Sequence, residues 1–407
     1  MQQAKPLFES PQARRAFLQR MGLTALTLPS LSLYNCAGSS ADSNGESTDS
    51  TTQTAAGQTI KKLGIALVGL GKYSEGQLGP ALQETQYCRL TGIVTGTPNK
   101  AKTWKQTYNI PDKNIYTYQT FDQIATNPAI DIVYVVLPNA LHADFVVRAA
   151  KAGKHVICEK PMATTTADAR RMIAACKAAG KQLSVGYRLH VEPHNQNMME
   201  LGQRQLFGPV RHLVAENGQK EGYDTPWRLN KALAGGGPLP DVGIYCLQGS
   251  LYTKGQLPVS VTARFHPITD REKFTEVEEG MTFQLQFADG TVADCRTSYN
   301  DTYNKLRAEA AKGWFELEPA YGYGGIRGKT SRGNMKLDNV NQQARQMDAF
   351  AQCVLNGTPT TLPGELGLRD VQLIEAIYEA ARTGKKVATR HIQPVVDQQY
   401  IRQYARL

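Results

Sequence analysis

Lys61-Lys62-Leu63-Gly64-Ile65-Ala66-Leu67-Val68-Gly69-Leu70-Gly71-Lys72-Tyr73-Ser74 is the stretch that decides the fold of this chain. Leu63 to Val68 is a short apolar run with strand character, and it enters a glycine-rich turn without a spacer. A buried strand ending in such a turn ahead of a helix lets backbone N–H groups approach a pyrophosphate at the helix N-terminus. The third glycine of the usual fingerprint is replaced by Ser74, which is small enough for helix–strand packing. Alone, Gly-x-Gly is only a tight turn, so the fold rests on the elements downstream of it.

From Arg89 onward, strand and helix patterns alternate. Residues 89–95 read as a second strand, and residues 131–137 as a third, continuous enough to be buried on both faces. Residues 155–158 and 182–186 read as two more. Between them His142, Phe145, Val146 and Ala149 fall at helical spacing, as do Ala169, Met172, Ile173 and Cys176, with Thr165 and Asp168 as a capping box. Strand–helix alternation predicts an α/β fold whose first domain, residues 61–187, is a parallel doubly wound Rossmann sheet. A chain of 407 residues exceeds one ordinary core, so a second domain is expected over 188–390, followed by a tail at 391–407. Within it, residues 210–217, 259–265, 281–287 and 291–299 read as strands, with Asp289-Gly290 as a hairpin turn.

Hydrophobic residues make up 41% of the chain, enough for real cores. Lys and Arg exceed Asp and Glu by 46 to 36, which raises a nucleic-acid reading. The basic residues are spread thinly, however, and no block of like charge occurs, so no nucleic-acid partner is expected. The seven cysteines never form C-x-x-C and the histidines lack zinc spacing, so no metal site is expected.

The first sixty residues read as address and tether. Arg14-Arg15-Ala16-Phe17-Leu18 precedes an uncharged stretch at 21–34, too short to span a bilayer but suited to a signal-peptide core. The pattern resembles a twin-arginine export signal, which predicts a periplasmic location and removal of residues 1–36. Leu33-Tyr34-Asn35-Cys36 leaves two outcomes open: a lipid anchor at Cys36, giving a membrane-anchored lipoprotein, or ordinary cleavage a few residues later. Residues 37–60 read as a flexible tether, because 38–59 is rich in Ser and Thr and has no bulky apolar side chain. Loss of residues 1–36 lowers the net charge from +10 to +7, so part of the basic excess is address.

Cofactor choice is read at the end of the second strand. An NAD binder usually places Asp or Glu there to hold the ribose hydroxyl. Here Thr95-Gly96-Thr97-Pro98-Asn99-Lys100 offers a hydroxyl and a cation, which suits a 2′-phosphate, so NADP is expected ahead of NAD. The plainer alternative makes Lys100 a solvated helix residue.

Leu137-Pro138-Asn139-Ala140-Leu141-His142, Glu159-Lys160-Pro161-Met162 and Asp241-Val242-Gly243-Ile244-Tyr245 resemble the glucose–fructose oxidoreductase/inositol dehydrogenase (Gfo/Idh/MocA) family. The likeness runs from about Leu63 to Val387 and is strongest to its periplasmic glucose–fructose oxidoreductase branch, through Gly186-Tyr187-Arg188, Trp227-Arg228-Leu229 and Ala234-Gly235-Gly236-Gly237. It implies a second domain with a large, mostly antiparallel open sheet that mediates a homodimer or homotetramer, and a last helix at 366–383 packing back on the first domain. It also implies hydride transfer between sugars, aldose to lactone and ketose or aldose to alditol, on a tightly bound NADP. In that picture Tyr245 is the acid/base, Lys160 lowers its pKa and bonds the reacting oxygen, and Asp241 orients the sugar. A phenol titrating near about 10 is a poor base at neutral pH, and an adjacent ammonium favours its ionised form. Most relatives carry His where Tyr245 stands, which points to the glucose–fructose oxidoreductase branch. The cofactor would be held by Gly69, Gly71, Lys72, Tyr73, Thr95, Gly96, Lys100, Pro138, Asn139, His142, Glu159, Lys160 and Arg188. Trp227 and Arg228 would cover it, Tyr187 and Arg188 would line the sugar pocket, and the Lys160–Pro161 bond would be cis. The alternatives are an NAD(P)-dependent sugar dehydrogenase or keto-sugar reductase, and a non-catalytic sugar- or cofactor-binding protein.

Overall fold

The computed structural model describes residues 51–53 and 59–393. The expected export signal, the candidate Cys36 site, most of the expected tether and the tail beyond residue 393 lie outside the described residues. Within the tether, β1 (Thr51–Gln53) pairs antiparallel with β2 (Thr59–Lys61), Thr52 opposite Ile60. That part of the segment is therefore a two-stranded ladder and not the flexible chain its composition suggests.

Six parallel strands form the first sheet: β3 (Leu63–Val68), β4 (Cys88–Val94), β5 (Ile115–Tyr116), β6 (Ile132–Val135), β7 (His155–Cys158) and β8 (Leu183–Val185). Their order is β5-β4-β3-β6-β7-β8, so the direction of winding reverses between β3 and β6. β3 and β6 are buried along their whole length, which explains their unbroken apolar sequence. In doubly wound sheets the crevice beyond such a reversal is where ligands bind. Helices α1 (Gly79–Glu84), α2 (Pro98–Tyr108), α3 (His142–Lys151) and α4 (Thr166–Ala178) supply the crossovers. Thr165 caps α4 by accepting the Asp168 N–H, as the sequence predicts.

After α5 (Pro193–Gln203) the chain builds a nine-stranded sheet. Its members are β9 (Val210–Gly218), β10 (Ser260–Phe265), β11 (Gly280–Gln286), β12 (Val292–Ser298), β13 (Tyr303–Ala310), β14 (Gly313–Leu317), β15 (Gly328–Thr330), β16 (Gly333–Asn334) and β17 (Val387–Ala388). The order is β16-β15-β14-β13-β9-β12-β11-β10-β17, antiparallel except for the β9–β12 pair. β9 to β12 are the four expected strands within a residue or two, and Asp289-Gly290 turns β11 into β12. β13 was not expected as a strand. It buries only Leu306 and Ala308 and turns Lys305, Arg307 and Glu309 away from the core, so three of its eight residues are charged.

Between β9 and β10 lie the one-turn helix α6 (Lys231–Ala234) and α7 (Ile244–Lys254); α8 (Gln342–Asn356) and α9 (Gly364–Thr383) come after β16. α7 packs on the inner face of the sheet against β9 and β12. α9 lies between the two sheets, against β10 on one side and α4 and β8 on the other, and Glu375 accepts the Thr166 N–H at 2.8 Å. A second returning helix escapes the sequence reading. α8 inserts Ala344, Met347 and Phe350 into the core around β3, and its Asp348 accepts the Gln86 and Tyr87 N–H groups. Of these two helices from the C-terminal third, α9 joins the two sheets and α8 completes the core of the first.

Candidate active site

The glycine turn leaves β3 at the point of reversal. Gly69 has φ +96, and a Cβ there would stand 2.3 Å from the Val136 carbonyl oxygen beyond β6, so the position admits only glycine. Ser74 is buried and donates its hydroxyl to the Gly69 carbonyl at 2.7 Å, closing the turn by a bond as well as by its size. A Cβ on Gly71, by contrast, would meet nothing within 4 Å. The turn is tight on its inner side and open on its outer side, which fits a pyrophosphate lying against backbone N–H groups. Lys100 reaches this turn: its Nζ donates to the Leu70 carbonyl at 2.6 Å and pairs with Glu75 at 2.9 Å. It is therefore not merely a solvated helix residue. Lys72 pairs with Asp224 in solvent, Thr95 Oγ1 accepts the Thr97 N–H, and Gly96 packs against the Tyr118 ring. The Tyr73 ring lies 5.8 Å from that of Tyr323.

Beyond β6, two of the residues expected to hold the cofactor stand one layer back. His142 has no exposed surface, and its ring nitrogens face the carbonyls of Leu137 at 2.8 Å and Pro161 at 3.0 Å. Burial lowers its pKa, and its place is a brace between Leu137 and the cis Lys160–Pro161 bond instead of a cofactor contact. Asn139 is likewise buried and donates Nδ2 to the Ala234 carbonyl. Glu159 lies under the site: Tyr134 donates its hydroxyl to it at 2.6 Å, Gln346 supports Tyr134, and the Lys160 N–H points at its other oxygen. Burial raises the Glu159 pKa, only partly offset by Tyr134 and Lys160.

Lys160, Asp241 and Tyr245 come together as expected, but Asp241 has a different task from orienting a sugar. Lys160 Nζ donates to the Asp241 carbonyl at 2.6 Å and to Oδ1 at 3.0 Å. Oδ2 accepts Arg228 Nε and the Tyr299 hydroxyl, each at 2.8 Å. Burial would raise the Asp241 pKa, but Lys160, Arg228 and the Tyr299 bond hold it well below the carboxylate range. Burial likewise opposes the Lys160 charge, and Asp241 reverses that, keeping it an ammonium above its ordinary pKa. Both side chains are only 12% exposed. The ammonium sits 4.7 Å from the centroid of the Tyr245 ring, on the first turn of α7.

Arg228 gives its Nε to Asp241, and its guanidinium stacks 4.7 Å from the half-buried Trp227 ring. Two further assignments change. Arg188, 3% exposed, donates from its two terminal nitrogens to the carbonyls of Tyr321 and Gly322 and to Gln342, between the rings of Tyr245 at 5.0 Å and Tyr323 at 4.4 Å. It fastens the loop around Tyr323 to the site and is not free to grip a dinucleotide. Tyr187 is fully buried and has no surface with which to line a sugar pocket. Sequence reading missed Tyr299, Glu221, Tyr321 and Tyr323. Tyr299 ends the strand expected at 291–299, and Tyr321-Gly322-Tyr323-Gly324-Gly325 is a glycine-rich run holding two aromatics, which was a usable signal.

Family models agree with this architecture. An oxidoreductase family model with an NAD-binding Rossmann fold matches residues 63–187, the GFO/IDH/MocA C-terminal domain matches 195–316, and an oxidoreductase-family C-terminal alpha/beta domain matches 330–389. The chain belongs to the Gfo/Idh/MocA oxidoreductase family. It is 30% identical to D-xylose 1-dehydrogenase [NADP(+)] of Haloarcula marismortui over 82% of this chain and 94% of that protein. D-glucoside 3-dehydrogenase of Escherichia coli is 26% identical over 81% of this chain and 98% of its own length. Among solved structures, aldose-aldose oxidoreductase from Caulobacter crescentus, complexed with glycerol, superposes with a TM-score of 0.78 at 43% identity. That match covers 81% of this chain and all of the other. In this Gfo/Idh/MocA chain the site combines an open glycine turn with a cation whose position is fixed before any ligand arrives.

Proposed function

We propose that the protein is an exported sugar oxidoreductase that moves hydride between sugars, aldose to lactone and ketose or aldose to alditol, on a tightly held NADP. The observation that carries the reading is the convergence of Lys160, Arg228 and Tyr299 on one buried carboxylate beside Tyr245. The names of the relatives support the sugar and the NADP; Arg14-Arg15 and the apolar run after them support export. Gly69, Gly71, Lys72, Tyr73, Thr95, Gly96 and Lys100 would hold the dinucleotide, whose bound nicotinamide supplies acceptance and return of a hydride.

The chain's own residues account for the rest. Lys160 has three N–H donors and gives two directions to Asp241, leaving one for the reacting oxygen. Because Asp241 fixes that ammonium, it meets developing negative charge without reorganising. Tyr245 takes the proton of the sugar hydroxyl on its own oxygen. When a second sugar binds in turn, the same proton returns to its carbonyl oxygen, so a retained cofactor leaves no net proton to remove. The outer face of the nine-stranded sheet is the surface for a homodimer or homotetramer.

A second reading, a sugar dehydrogenase that exchanges its NADP, is favoured by the xylose dehydrogenase relative. The test is to purify the mature protein, dialyse it, denature it and assay the supernatant for NADP, then add aldoses to the native form. Retained NADP that is reduced by one sugar and reoxidised by another supports the exchange. NADP lost on dialysis favours the dehydrogenase. No nicotinamide nucleotide, bound or added, ends the oxidoreductase reading. The mass of the mature N-terminus separates lipidation at Cys36 from ordinary cleavage.

A further inference from the structure

We infer that Arg228, stiffened by Trp227, selects the substrate by presenting a fixed edge of N–H donors to a pair of neighbouring hydroxyls on a neutral sugar. This rests on the sugar-oxidoreductase reading above. The starting point is the geometry of one carboxylate. Asp241 Oδ1 takes Lys160 and Oδ2 takes Arg228, so the two cations stand side by side at a spacing set by a rigid group. If the oxygen that reacts lies at Lys160, the hydroxyls on adjoining carbons lie toward Arg228.

Arg228 is equipped to receive them. A guanidinium has five N–H donors in a planar fork. Nε is used by Asp241, and the four terminal N–H groups make no hydrogen bond among the described residues. The nearest charged partner, Glu221 Oε1, stands 4.0 Å from one terminal nitrogen, which balances charge without taking a donor. Glu221 is itself engaged by Thr225 and by Gln219. The side chain is 25% exposed, twice the Lys160 figure, so the fork is not sealed in the core. Stacking on Trp227 holds the fork in one plane. Planar donors held apart match two vicinal hydroxyl oxygens, each of which accepts one bond.

Charge decides the substrate class. Asp241 and Glu221 already offset Arg228, and Asp241 offsets Lys160, so the edge offers directional donors and little net positive field. It is suited to neutral polyols and gives no advantage to sugar acids. It also differs from a cover over the dinucleotide, because Arg228 is held to the Lys160–Asp241 pair and not to the glycine turn.

The experiment compares wild type, Arg228→Lys and Trp227→Ala on an aldose and on its 2-deoxy and 3-deoxy analogues, with NADP affinity measured by fluorescence quenching. Arg228→Lys keeps the charge beside Asp241 and loses the fork. It is expected to raise KM for the aldose by about tenfold and to reduce the preference for the aldose over one deoxy analogue by at least about tenfold, with NADP affinity within about twofold. Trp227→Ala should move the same ratio less. An unchanged aldose-to-deoxyaldose ratio in Arg228→Lys overturns the assignment. So does a loss confined to NADP affinity, which would restore the role of cofactor cover. If wild type turns over no sugar with any nicotinamide nucleotide, the functional reading and this inference fall together. Sugar turnover with indifferent variants removes this inference alone.

Discussion

At the Lys160 corner three donors converge on one buried carboxylate, whereas at the glycine turn the charged groups pair in solvent and one flank is empty. The corner is assembled at low dielectric, where a carboxylate and two cations are tolerable only if each meets the others in good geometry. The turn is held by backbone bonds and a buried serine, and its lysines are engaged by partners that a ligand could replace. The difference separates two tasks. Groups that must meet charge developing during reaction are fixed in advance, and groups that must admit a large anion are left exchangeable.

The largest effect should come from the corner. Lys160→Met removes the only ammonium beside Tyr245 among the described residues and strips Asp241 Oδ1 of its partner, while Arg228 and Tyr299 still satisfy Oδ2. Hydride transfer should fall by about a thousandfold, the range seen when a preorganised charge donor is lost. Single-turnover absorbance of the reduced nicotinamide measures it, with cofactor affinity recorded in parallel. Near-normal transfer would take Lys160 out of the reaction and make the corner purely structural.

Asp241→Leu tests whether the corner stabilises as well as positions. Lys160 and Arg228 would then be buried without their anion, a loss of about 3–5 kcal/mol, read from urea unfolding. The pH dependence has a defined sign. Asp241 titrates lower folded than unfolded, so its contribution is complete above the unfolded value near about 4 and is lost as pH falls below it. Lys160 is shifted upward, so its contribution holds until the solution is strongly alkaline. Wild type should lose stability steeply below about pH 4, and Asp241→Asn should show a shallower acid slope. Equal slopes would mean that Asp241 is not the group being titrated.

Two glycines two residues apart sharpen the contrast within the turn. Gly69→Ala places a Cβ against the Val136 carbonyl and strains a left-handed φ, so stability should drop by about 1–3 kcal/mol. Gly71→Ala meets open space, so thermal unfolding should match wild type while dinucleotide affinity falls, because the new methyl occupies the flank meant for the pyrophosphate. Loss of stability in both, or of affinity in neither, would erase the distinction between the inner and outer sides.

The sequence carried much of this and missed a particular kind of information. β3, β6 and the glycine turn were legible because full burial forces an unbroken apolar run and a close approach forces glycine. The meeting of Lys160, Asp241 and Tyr245 was legible through family resemblance alone, since 81 residues separate Lys160 from its carboxylate. What stayed hidden was direction. No local pattern says that His142 turns inward to two carbonyls, that Arg228 turns to Asp241, or that Arg188 turns to the Tyr321 loop. Strands on the open face were also hidden, because β13 alternates Leu306 and Ala308 with charges that score poorly for any strand. Helix α8 was missed because it completes a core nearly three hundred residues earlier in the chain.

Lys100→Ala should give the smallest effect and the most selective one. The side chain is 40% exposed and its partner Glu75 is 44% exposed, so removing the pair should change stability by no more than about 0.5 kcal/mol. Its bearing is on the choice of cofactor. Nζ already reaches the Leu70 carbonyl on the glycine turn, which places a cation beside the end of β4 where a 2′-phosphate would lie. To bind that phosphate the ammonium must exchange Glu75 for a new anion, so the net gain is a difference between two charge-assisted bonds. A modest ratio is therefore expected: NADP affinity lower by about tenfold, or about 1.4 kcal/mol, and NAD affinity unchanged. Glu75→Gln should act in the opposite direction, because it removes the competing carboxylate and spares the cation. If both variants leave the NADP-to-NAD affinity ratio where it was, Lys100 is an ornament of the turn, and 2′-phosphate recognition must come from elsewhere along residues 95–99.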